Sequence, residues 1–251
     1  CLHNMLKAQD TDLLKLVDDD KKKKEIVKNA FKSTRVINGQ SIEFLRPGTM
    51  VVRILHRFGQ LDEGYKNFFG LDEASMRLGF DFGITNNLMV GVGRSTFKKE
   101  LDAFVKYAPF QQSTGSGSFP ITIAFASGIT MNGMDWPDTT RKNYFSSKLA
   151  YYFQTIIGRK ISEGFSLQFT PTLVHKNLVP LETDPNDIYS LGVGGRLKVS
   201  KRIAFTWDYF YVFNPLSNNL YHNPLSVGID IETGGHVFQL HFSNATGMNE
   251  P

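Results

Sequence analysis

Charged side chains at alternate positions are the most conspicuous chemistry in this chain: Arg53, Arg57, Arg77, Asp81, Asp102, Lys106, Lys148, Arg196, Lys198, Asp208, Asp230 and Glu232 all lie on one face of segments whose other face is apolar. Cations and anions gathered on a shared inner surface can neutralise one another in a confined polar space. They are therefore expected as lumen charges available for pairing. A second possibility is catalytic. His241 and Ser243 are two residues apart, share one strand face, and have the types of a base and a nucleophile.

Other combinations are weaker. Asp184, Asn186 and Asp187 carry oxygen ligands for Ca²⁺, but their spacing misses the EF-hand pattern and suits a solvated loop better. His175, His236 and His241 lack metal-ligand spacing, so neither a metal nor a cofactor is expected. The Gly192-Val-Gly-Gly195 run is followed by no helix, which argues for a smoothed inward strand face rather than a dinucleotide loop.

The elements that must position these groups show a period of two. In residues 74–93, Ala74, Met76, Leu78, Phe80, Phe82 and Ile84 alternate with Ser75, Arg77, Gly79, Asp81, Gly83 and Thr85. Thr85-Asn86-Asn87 then turns the chain, and Leu88, Val90 and Val92 restart the pattern. That is a hairpin with unlike faces. Similar segments are predicted at residues 49–58, 101–110, 120–130, 144–160, 165–173, 188–199, 203–213, 225–232 and 238–243, with Pro171 marking a bulge or a break in pairing. Alanines and glycines at inward positions leave room for whatever fills the interior.

Composition narrows the class. The 251 residues suffice for one large all-β domain or two ordinary ones, and 22 glycines with 21 phenylalanines suit twisted sheets with apolar belts. No long apolar run exists, so a transmembrane helix is excluded, whereas alternating strands are compatible with the charged fraction of 21%. The net charge of +4 is modest and no basic cluster is interleaved with aromatics, so nucleic acid is not an expected partner. The single cysteine, Cys1, excludes an internal disulfide. Residues 1–9 read as a signal-peptide remnant or a lipoprotein N-terminus, and residues 10–48 as a polar leader, partly disordered or plug-like, before a barrel domain over 49–251.

The connections fall into two populations. Those at 59–73, 131–143, 177–187 and 214–224 are long and polar, while those at 85–87, 162–164, 200–202 and 233–235 are minimal. Long loops at one end and tight turns at the other characterise an outer-membrane barrel. Two connections break the alternation: 97–100 is too short for its end and 111–118 too long. A soluble barrel would want the reverse polarity, with an apolar interior. Tyr107, Tyr144, Tyr189, Trp207 and Tyr211 near segment ends are expected at the membrane interfaces.

The stretches Phe31-Lys-Ser-Thr-Arg-Val-Ile-Asn-Gly39, His56-Arg-Phe-Gly59, Gly91-Val-Gly-Arg-Ser-Thr96, Arg141-Lys-Asn-Tyr-Phe-Ser-Ser147, Pro171-Thr-Leu-Val-His175 and Ile231-Glu-Thr-Gly-Gly-His-Val-Phe-Gln-Leu-His-Phe242 carry a family likeness. Through them the chain resembles outer-membrane β-barrel proteins of unknown function from Bacteroidetes-type bacteria. The resemblance implies a signal peptide, a barrel and a closing strand, and no reaction.

The expected fold is thus all-β, an antiparallel up-and-down transmembrane β-barrel of about twelve strands, the twelfth lying beyond Pro251 because single-chain barrels are even-numbered. The expected function is a non-catalytic component of the bacterial outer membrane, a narrow or occluded pore or a structural partner in an envelope complex, in contact with outer-membrane lipid and with other envelope proteins. The alternatives are an outer-membrane lipid hydrolase using Ser243 and His241, and a soluble β-sandwich binding protein.

Overall fold

A computed structural model of the chain describes residues 23–60, 64–140, 142–216, 221–234 and 236–248. The expected signal remnant, the leader up to residue 22 and the twelfth strand lie outside them. The strands are β1 (Glu25–Ile26), β2 (Met50–Arg57), β3 (Ser75–Gly83), β4 (Leu88–Ser95), β5 (Leu101–Phe110), β6 (Ser113–Thr114), β7 (Thr122–Met131), β8 (Leu149–Lys160), β9 (Phe165–Lys176), β10 (Asp187–Lys198), β11 (Ile203–Val212), β12 (Leu225–Glu232) and β13 (Val237–Ser243). Eleven of them form one antiparallel sheet in the order β13-β12-β11-β10-β9-β8-β7-β5-β4-β3-β2. Every neighbour in it is also the next sheet strand along the sequence, the up-and-down arrangement that short hairpin connections favour. An odd number of alternating strands leaves the edges β2 and β13 running the same way.

Alternation sorts the side chains as the period of two requires. On β3, Arg77 and Asp81 are each 1% exposed, whereas Met76, the neighbour of Arg77 on the other face, is 40% exposed and Ile84 just beyond the strand 51%. Phe125, Phe153, Phe169, Leu240 and Phe242 likewise stand exposed on the outer face. An apolar surface of this extent needs an apolar environment.

The inner face encloses the N-terminal segment. β1 pairs with β6, Val27 N–H donates to the Gln112 carbonyl at 2.8 Å, and from there the chain turns inward. Ala30, Phe31, Val36, Ile37 and Ile42 pack with Met89, Phe104, Ala124, Ala126, Tyr152, Ile156 and Val174 from the walls. Inward alanines on β7 admit this segment by their small size. The chain leaves at the turn end, where Gly48 N–H donates to the Gly83 carbonyl at 2.9 Å. Gly83 has to be glycine because a Cβ there would lie 2.2 Å from the Arg46 carbonyl oxygen.

Both irregular connections have causes. The longer 111–121 connection carries β6, which receives the incoming β1, and Gln112 bridges to the main chain of Lys160 through both its amide groups. In the turn that follows, Lys160 is 2.8 Å from Glu163 and holds that carboxyl below the usual range. The short 96–100 connection is a 3-10 turn at Phe97–Lys99, and Gly133 N–H from the neighbouring long loop caps the Lys98 carbonyl at 3.0 Å. At Pro171 the β8–β9 pairing lapses between Gln154↔Thr172 and Ile157↔Phe169 without a change of register. It is a break and not a bulge.

Two expected lumen charges are misplaced. The segment expected from residue 144 begins as a 3-10 turn, Phe145–Lys148, and β8 starts only at Leu149. Lys148 consequently leaves the inner face: its Nζ donates to the Met134 carbonyl at 2.6 Å and sits 4.9 Å over the Trp136 ring in the long loop. Lys198, the last residue of β10, is exposed beside the 199–202 turn.

Candidate functional site

The interior is built from the walls inward. On the β3–β5 side, the Arg77 guanidinium donates through Nε to Asp102 Oδ1 at 2.9 Å and through a second nitrogen to Oδ2, a fork-to-fork pair almost without exposure. Arg77 reaches Asp102 across β4, and a Cβ at Gly93 would lie 2.2 Å from its terminal nitrogen. A glycine on the middle strand is what lets charges two strands apart meet. Arg53 of β2 and Asp81 of β3 stand 3.8 Å apart, with Thr34 of the inner segment between them: its hydroxyl donates to Asp81 at 2.6 Å and accepts from Arg53 at 3.3 Å.

Residues 34–41 form a small hairpin across this space. Val36 N–H donates to the Gly39 carbonyl and Ser41 N–H to the Thr34 carbonyl, each at 2.9 Å, around an Arg35–Gln40 bridge. Asn38-Gly39 at the tip is a pair that tight turns favour, because both residues tolerate the backbone geometry a tip requires. Lys106, wholly buried on β5, donates to the carbonyls of Thr34 at 3.2 Å, Ser41 at 3.1 Å and Glu43 at 2.8 Å. An ammonium has three donors, and here all three hold the hairpin's base. At the tip the polarity reverses. Asp208 of β11 accepts from the N–H groups of Asn38 at 2.8 Å and Gly39 at 3.3 Å.

Asn38 also ties strands that lie at opposite edges of the sheet. Its amide nitrogen donates to Ser226 at 2.8 Å and Ser243 at 3.3 Å, and its oxygen accepts from Arg57 of β2 at 2.8 Å. Arg57, half-buried, donates in addition to the Ala245 carbonyl just beyond β13. The two sheet edges thus approach each other around one asparagine.

The remaining expected charges pair near the tight-turn end. Arg196 lies 2.9 Å from Glu232 and 3.7 Å from Asp230, Glu232 also reaches Lys32 at 3.1 Å, and Gln239 donates to Asp230 at 2.8 Å. Gly192 and Gly194 face inward as expected, leaving the room that Phe210 and Val36 occupy.

A model of the family described as "membrane bound beta barrel domain" matches residues 31–251. The chain belongs to that family. Neither a curated protein nor a solved structure matches it. Among the described residues no helix is long and apolar enough to cross a membrane.

Within the barrel, His241 and Ser243 do not meet. The Ser243 hydroxyl bonds Ser226 at 2.8 Å and Asn38, while His241 Nε2 is buried with no hydrogen-bond partner. Among the described residues no group of His, Cys, Asp and Glu side chains is placed to hold a metal ion. Asp184 is turned back onto its own loop, accepting from Leu181 N–H at 3.2 Å, whereas His175 and Asp187 pair at 2.7 Å on the rim. Residues that sequence reasoning passed over include Asn38 as a side-chain hub and Gln168 of β9. Gln168 accepts from Ile42 N–H at 3.1 Å and donates to the Gln40 carbonyl at 2.7 Å. Its inward parity was visible, but an uncharged amide gives no signal of what backbone it meets.

Proposed function

We propose that this protein is an outer-membrane β-barrel with an occluded lumen, acting as a non-catalytic component of the bacterial envelope rather than as a general pore. The observation that carries this reading is the hairpin at residues 34–41, bonded at its base by Lys106 and at its tip by Asp208. An open porin keeps a water-filled lumen, whereas backbone held by buried charges fills the space that solute would need. The non-catalytic part is supported by Ser243, whose hydroxyl is engaged by Ser226 and Asn38 instead of a base. Outer-membrane lipid meets the apolar face, and the long loops offer the surface for other envelope proteins.

Single-channel recording in planar bilayers tests the proposal. The expected result is little or no steady current at moderate voltage; large, stable open steps from the intact protein would overturn it. Assay of the purified protein against phospholipid, with Ser243→Ala as the control, tests the absence of hydrolysis separately.

A further inference from the structure

The outer face of the barrel carries a concavity among its exposed aromatics. There, a groove of about 580 Å³ crosses β5, β7, β8, β9 and β10. Its floor is made by short outward side chains, Ser127 of β7, Thr155 of β8 and Pro171 of β9, between walls formed by Phe125, Phe153 and Tyr189. The register explains the depth. Phe125 is opposite Thr155 and Ser127 opposite Phe153, so each large ring on one strand faces a small residue on the next. Pro171 deepens the floor and, having no N–H, deprives the Thr155 carbonyl of its ladder donor.

The walls are well exposed, Phe125 at 50%, Phe153 at 52% and Tyr189 at 51%, so this concavity belongs to the surface and not to the lumen. Its volume falls within the range of about 300–1,000 Å³ that accommodates discrete small ligands. What surrounds it follows from the family: the outward face of a membrane-bound barrel contacts hydrocarbon, so the occupant comes from the bilayer. The groove slants from Tyr107, near the tight turns, to Tyr189 and Phe213 at the long-loop end.

We propose that this groove is a lipid-binding site that holds one acyl chain of a bilayer lipid. Flexible hydrocarbon fills the narrow floor and is gripped by the phenyl walls, which separates this chain from the lipids that merely surround the barrel. The site is independent of whether the lumen conducts.

The wild-type protein, reconstituted in phosphatidylcholine vesicles with a trace of phosphatidylcholine carrying a diazirine on its acyl chain, supplies the test. Irradiation, digestion and mass spectrometry are expected to show adducts severalfold enriched on peptides containing Phe153, Pro171 and Tyr189 over those containing the outward residues Val92 and Ile229. Ser127→Phe, which fills the floor, is expected to remove the enrichment while leaving adducts at Val92. Thr155→Leu serves the same purpose from the adjacent strand if the first variant does not fold. Adducts spread evenly over the outer face, or a groove shielded from label in a dimer, would overturn the site.

Discussion

The wall of β3 to β5 and the wall of β11 to β13 face the same inner hairpin with opposite electrical strategies. The first spends Arg77 and Asp102 on each other and turns its remaining cation, Lys106, onto three backbone carbonyls. The second presents an anion, Asp208, to two backbone N–H groups at the hairpin tip, and leaves Asp230 to Arg196 and Gln239. A buried peptide segment has donors as well as acceptors to satisfy, and a charge of suitable sign at each end satisfies both. Lys106 and Asp208, which hold the plug, and Arg77 and Asp102, which hold the wall, are therefore different residues with separable effects.

Deleting residues 33–42 is the harshest way to break the comparison. It removes what both walls hold and is expected to convert a closed barrel into one with steady single-channel current, recorded in planar bilayers. Lys106→Met comes next. It strands the carbonyls of Thr34, Ser41 and Glu43 and is expected to cost on the order of 3–5 kcal/mol, as for breaking a buried charged network, together with transient channel openings.

Arg77→Met leaves Asp102 buried and unpaired at a similar cost of about 3–5 kcal/mol in urea unfolding from lipid vesicles, but without openings, because its pair belongs to the wall. The double variant Arg77→Met with Asp102→Leu is expected to recover most of that loss. Conductance from Arg77→Met equal to that from Lys106→Met would erase the distinction between wall and plug. Asp208→Asn keeps an acceptor at the tip and loses only its charge, so a drop of about 1 kcal/mol is expected by the same unfolding measurement. Lys148→Ala and Lys198→Ala, outside the enclosed space, are expected to stay within about 0.5 kcal/mol of the parent.

Much of the fold is legible in the residue alternation. Phe80 outward and Arg77 inward is a consequence of parity alone, since successive residues of a strand point to opposite faces. The same rule sorted Asp81, Asp102, Lys106, Arg196, Asp208 and Asp230 correctly. It failed at Lys148 and Lys198 because parity holds only inside a strand: the Phe145–Lys148 turn ends the alternation early, and at the rim an inward direction no longer means an enclosed one. Asn38-Gly39 was readable as a turn, and the glycine run near residue 192 as a smoothed inner face.

The sequence by itself determined that this chain makes an antiparallel sheet with one apolar and one polar face, because residue alternation and turn chemistry are local properties. Only the tertiary structure decided which charges neutralise each other, that Lys106 and Asp208 answer the backbone of the inner segment, and that Asn38 joins Arg57 of the first barrel strand to Ser243 of β13. Those partners are many strands apart or on a segment from outside the sheet, and no local pattern encodes a distance that exists only after the sheet has curled.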